Sequence, residues 1–133
     1  MEGNRTQGPR PAARRRTGRG RTGMNRAIDN TQHCTTMEDV RRHIDALDDV
    51  LVPLLVTRGG YMTQAARIKK DATQVRDEKR IEAIVARVRA RTQKEGGEPD
   101  MIEAIYRSMM EAYIAFEHRE FARLRTPSEG SQP

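Results

Sequence analysis

A single stripe of residues between Val40 and Ile68 sets what this chain can fold into. Val40, Ile44, Leu47, Leu51, Leu54, Arg58, Tyr61, Ala65 and Ile68 follow at alternating steps of four and three. That rhythm belongs to one face of a long α-helix that packs lengthwise on another helix. Thr35 and Glu38 are spaced as a capping box at its start, with Thr36 as the alternative cap. Pro53 removes one hydrogen bond from the middle. The helix is expected to bend there rather than stop. Over residues 37–70 it would be roughly 50 Å long, whereas a 100-residue globule has a radius of gyration of only about 13 Å.

Two shorter helices follow. The first is predicted from Asp77, a good N-cap residue, with Ile81, Ile84, Val85 and Val88 at helical spacing. It ends at the Gly96-Gly97 and Pro99 breakers. The second is predicted from about Asp100 to Arg125 and carries Ile102, Ile105, Tyr106, Met109, Tyr113 and Phe116. No stretch alternates with period two. The fold class is therefore all-α, a three-helix subunit with a long first helix. Two short helices cannot cover the apolar length of such a rod, so an intertwined homodimer is expected. The predicted organisation is a disordered tail and linker over 1–34, a helical domain over 35–125 and a disordered C-terminus over 126–133.

Charge is distributed unevenly. Residues 1–23 hold seven of the 25 basic residues and one of the 19 acids, so the whole formal net charge of +6 lies there. The segment has almost no apolar surface to offset the entropy of ordering. Three readings stay open for it: a stretch upstream of a working start at Met24, an arm that sticks to RNA or DNA, and an organelle-targeting segment. The helical remainder is neutral, so nucleic acid is expected only nonspecifically, through residues 1–23. No membrane partner is expected, since no stretch approaches a membrane span. Cys34 is the sole cysteine and can form no intrachain disulfide. The cytoplasm is the default compartment. His33, His43, His118 and Cys34 lack metal-ligand spacing, and neither a metal nor another cofactor is expected.

The polar residues on the apolar stripes carry the chemistry. Arg58 lies on the seam, and Lys69, eleven residues on, points about 20° from the same direction. Met62 and Ala65 lie between them. Either Arg58 pairs with a buried acid while Lys69 snorkels outward, or the two cations flank a pocket and each holds one carboxylate of a small dianion. On the third helix, Tyr106, Met110, Tyr113 and Glu117 share a face. Glu117 either forms an ion pair with Arg119 or another cation, or is a desolvated carboxyl that donates a hydrogen bond when protonated. The chain has no P-loop, no Gly-rich dinucleotide loop, no HExxH motif and no serine or cysteine with a convincing histidine partner. A site of buried cations without a nucleophile suits a reaction that needs orientation and electrostatic stabilisation only. Gly59 and Gly60 each cost a helix about 1 kcal/mol against alanine, so a close backbone approach or a local bend is expected there.

Taken in order, the motifs "VRRHIDALDDVLVPLLVTR", "RIKK", "VRDEKRIEAIVARV" and "IYRSMMEAYIAFE" resemble those of the all-helical (AroQ-type) chorismate mutases over residues 37–121. The resemblance implies rearrangement of chorismate to prephenate, without cofactor or covalent intermediate, by basic side chains that grip two carboxylates. It implies that Arg58 binds a carboxylate and that Lys69 binds both a carboxylate and the ether oxygen. Asp77 and Arg80 would lie near the ring hydroxyl and a carboxylate, and Arg41 would serve the site of the partner subunit. Two positions depart from the family pattern. The glutamate that commonly follows the second-helix arginine is Ile81, and the usual third-helix glutamine is Glu117. The related isochorismate-pyruvate lyases also carry an apolar residue at the Ile81 position and are similar at Tyr113, but they usually keep the glutamine. Ile81 is also in phase with the core positions Ile84 and Val88. The expected function is chorismate mutase. Isochorismate-pyruvate lyase and a mutase of an amino-deoxychorismate are alternatives, and a non-catalytic helical dimer with a nucleic-acid-binding tail is the alternative outside enzymes.

Overall fold

The computed structural model describes residues 30–127. The expectations for the N-terminal tail, apart from residues 30–34, and for the last six residues lie outside these. The elements are α1 (Met37–Ile68), a short 3-10 helix (Ala72–Gln74), α2 (Glu78–Lys94) and α3 (Pro99–Arg125). No strand occurs among the described residues, in agreement with the all-α expectation. The chain divides into two compact units at Leu55/Val56.

In the first unit, residues 30–36 lead into the upstream part of α1. The cap is Thr36, not Thr35. Its Oγ1 accepts the Asp39 N–H at 3.1 Å, satisfying one of the donors a helix start leaves unpaired. Glu38 and Asp39 occupy the first turn, where the helix dipole favours negative charge. The helix continues through Pro53. Ile44, Leu47, Leu51 and Leu54 are each between 41% and 51% exposed, so the described residues leave this apolar stripe half open.

The second unit holds the last turns of α1 and everything after them. Its core is the face of α2 formed by Ile81, Ile84, Val85 and Val88, packed with Met110 and flanked by Ile102, Tyr106 and Ile114 of α3. Asp77 caps α2, accepting the Arg80 N–H at 3.0 Å. At the other end, the Gly96 and Gly97 N–H groups bond back to the carbonyls of Gln93 and Thr92. This is a Schellman closure, which needs a left-handed residue, and Gly96 supplies it with φ of 79°. A Cβ on Gly97 would meet Thr92 Cγ2 at 3.1 Å, so the second glycine lets the turn fold close to the helix. Pro99 opens α3, one residue before the expected start, and at this position its missing N–H costs nothing.

Small residues occupy the inward side of α1 in this unit. Ala66 is fully buried. A Cβ on Gly59 would lie 3.6 Å from the Tyr113 ring, an ordinary contact, while Gly60 has nothing within 4 Å. A Cβ would therefore fit at both positions, so the expected close approach accounts for neither Gly59 nor Gly60. The seam residues Tyr61 and Ile68 stay exposed within this unit. The α1 face turned inward is centred on Met62, Ala65 and Ala66 instead.

One turn beyond, Thr63 Oγ1 donates to Glu120 Oε1 at 2.9 Å, and Arg123 donates to both Glu120 oxygens at 2.8 Å. The Arg123 hydrogen bond, then that from Thr63, holds the Glu120 carboxyl at about 2, below its ordinary 4.5. A carboxyl that binds its proton more weakly folded than unfolded contributes stability above its unfolded value, and the contribution is lost as pH falls. Thermal melts should therefore show a loss of stability as pH drops from about 4.5 toward about 2, and the loss should be shallower in Glu120→Gln.

Candidate active site

Three elements of the second unit enclose a cavity of about 310 Å³. Arg58, Met62 and Ala65 reach it from α1. Asp77, at the α2 cap, and Arg80, Ile81 and Ile84 of α2 line a second wall. Met110, Tyr113, Ile114 and Glu117 of α3 close the third. Lys69 and Val75 enter from the connection that carries the 3-10 helix. Seven of the residues expected at the site from sequence thus line one cavity: Arg58, Lys69, Asp77, Arg80, Ile81, Tyr113 and Glu117. Arg41 is exposed on α1 in the first unit.

The local folding explains each placement. α1 ends at Ile68, so Lys69 has left the helix, although its N–H still bonds to the Ala65 carbonyl at 3.0 Å. Its side chain turns inward rather than snorkelling. Nζ donates to Glu117 Oε2 at 2.8 Å and to the Val75 carbonyl at 3.3 Å. Val75 is buried and follows the 3-10 helix, which closes on a capping box between Asp71 and Gln74. This turn points the Val75 carbonyl at Lys69.

Glu117 is 3% exposed, so its carboxylate is shielded from water and needs a charged partner. Lys69, not Arg119, is that partner. Arg58 does not pair with a buried acid. Its guanidinium carbon sits 4.8 Å from the centroid of the Tyr113 ring, within cation–π range. Among the described residues, neither Arg58 nor Arg80 joins its guanidinium to a carboxylate, so both have donors available to a ligand. Ile81 belongs to the α2–α3 core and to the cavity wall at once.

Chemically, the cavity combines an apolar floor with three cations and two carboxylates. Such a site can grip a small dianion through guanidinium forks and an ammonium, with room for a carbon ring between them. Among the described residues, no group of three or more His, Cys, Asp or Glu side chains is arranged to hold a metal ion.

A family model described as chorismate mutase type II matches residues 40–118. The chain belongs to this family. The matched span runs from the start of the α1 seam to the residue after Glu117 and contains every residue expected at the site, Arg41 included. The family assignment agrees with the all-helical fold and with the resemblance read from the motifs. No curated protein matches the chain. No helix among the described residues is long and apolar enough to cross a membrane.

Sequence reasoning missed Val75, whose carbonyl holds Lys69, and the wall residues Ile84, Met110 and Ile114 as contacts of the cavity. Val75 had a signal, being an isolated apolar residue in the polar run "DATQVRDEK". Removing Lys69 leaves the Glu117 carboxylate unpaired. Lys69→Ala should cost about 1–3 kcal/mol of stability. In a double-mutant cycle by urea unfolding, Lys69→Ala combined with Glu117→Gln should cost less than the two single changes added, by at least about 0.5 kcal/mol.

Proposed function

We propose that this chain is a chorismate mutase that rearranges chorismate to prephenate in the cavity between α1, α2 and α3. One observation carries the reading: Arg58, Arg80, Lys69 and Glu117 converge on one apolar-floored cavity of about 310 Å³. The reaction breaks an ether C–O bond and forms a C–C bond within one molecule, so the protein need supply no nucleophile. It has to hold the substrate folded and stabilise charge that develops on the ether oxygen. In this reading Arg58 binds one carboxylate, with its guanidinium steadied over Tyr113. Arg80 and Asp77 face the other carboxylate and the ring hydroxyl. Lys69 bridges a carboxylate and the ether oxygen. Glu117 holds the Lys69 ammonium in place through their 2.8 Å ion pair.

Ile81 supports a second reading. It offers the substrate ring no hydrogen bond at the position where the family commonly has glutamate, which favours a ring substituted differently from chorismate. Isochorismate, with loss of pyruvate to give salicylate, or an amino-deoxychorismate would then be the substrate.

The test is incubation of purified protein with chorismate and, separately, with isochorismate, and identification of prephenate or salicylate. Arg58→Ala should lower kcat/KM by about 10²–10³; neither product forming, or full activity in this variant, would falsify the enzyme reading.

We further propose that the active form is a homodimer in which the exposed stripe of Ile44, Leu47, Leu51 and Leu54 packs on a second copy, bringing Arg41 to that copy's site. Mixing inactive Arg41→Ala and Arg58→Ala proteins after unfolding together and refolding should then restore activity, since a mixed dimer has one site with both arginines. No recovery in a mixture shown to contain mixed dimers would refute the shared site.

A further inference from the structure

Lys69 is anchored to α3 at both ends. Its Nζ bonds to Glu117 of α3 at 2.8 Å. Its backbone carbonyl accepts from Arg125 Nη2, at the last residue of the same helix, at 2.7 Å. The same guanidinium reaches the Arg67 carbonyl at 3.4 Å. These carbonyls belong to the end of α1, where a helix leaves its last acceptors without intrahelical donors and its dipole favours a cation. The Arg125 guanidinium is held for this task. Its carbon lies 3.5 Å from the centroid of the Phe121 ring, and Nη1 donates to the Phe121 carbonyl at 3.2 Å.

Lys69 needs such an anchor. It lies one residue past the end of α1, so the regular ladder no longer fixes its carbonyl, and a long flexible side chain multiplies any error in its backbone. Arg125 fixes that backbone against the helix that also carries Glu117, and so sets where the ammonium sits relative to the carboxyl. Arg125 does not line the cavity, and it lies beyond the span that matches the family model.

We propose that Arg125 is a positioning residue for the site, acting through the Lys69 backbone. The kinetic part of this inference rests on the chorismate mutase reading, and the structural part does not. Arg125 is exposed, so Arg125→Gln should fold and keep its thermal midpoint within a few degrees. It should lower kcat about tenfold, the scale expected for a small misplacement of a catalytic group. Arg125→Lys should keep at least half of the wild-type kcat, because its ammonium can still donate to the Lys69 carbonyl.

Amide hydrogen exchange of residues 69–75 supplies the arm that needs no substrate, and it should quicken in Arg125→Gln and not in Arg125→Lys. If the wild type turns over neither chorismate nor isochorismate, the functional reading fails and exchange alone decides whether Arg125 anchors Lys69. Unchanged exchange in Arg125→Gln overturns the proposal, as does quickened exchange with wild-type kcat, which would make the contact a helix cap only. A kcat that the lysine variant does not restore overturns it as well.

Discussion

A carboxylate shielded from water needs a partner, and Glu117 finds it in Lys69. The 2.8 Å ion pair sits where α1 has ended, the connection to α2 turns back, and α3 passes behind. Meeting the needs of this one carboxyl draws three segments together. The ammonium also takes the Val75 carbonyl, which orders the connection. Arg125 closes the end of α1 from the far side, and the Thr63–Glu120 hydrogen bond repeats the α1–α3 link on a neighbouring turn. An ion pair of this kind is a poor source of net stability against an apolar replacement. Here it fixes where the ammonium and the carboxylate stand in the cavity wall.

The rest of the second unit is built to keep that junction in register. The apolar face of α2 packs on α3, and bidentate pairs such as Arg107–Glu82 and Arg76–Glu111 run along the rim. These rim pairs are solvated and individually worth little. They do favour one sliding register of α2 on α3, and that register decides where Arg80 and Ile81 stand relative to Tyr113 and Glu117.

Much of this could be read from the sequence because it depends on local rules. The Asp77 cap, the Gly96-Gly97 stop and the shared direction of Arg58 and Lys69 follow from residue type and helical period alone. Boundaries slipped by a residue or two, at Thr36, Ile68 and Pro99, where neighbouring residues can exchange capping roles. The seam was harder. Its apolar positions Tyr61 and Ile68 remain exposed, while the less conspicuous Ala66 is fully buried, so side-chain size did not mark the inward face of α1. The partners of Lys69 and Arg125 were out of reach for a different reason. Both bind backbone carbonyls, which every residue carries, so no residue type marks them in advance.

Ile81 has a double membership that limits how such a site can change. It is packed in the α2–α3 core and faces the cavity with the same side chain. A carboxylate introduced there would give up apolar packing against Ile84, Val85 and Met110, and would have to turn toward the cavity cations to stay charged. Any change to this wall of the cavity is therefore also a change to the α2–α3 core. Arg80, exposed and one residue away, lines the same cavity without a place in that core, so the two neighbours face the cavity under different constraints: one side chain is held by packing and the other is free to be exchanged.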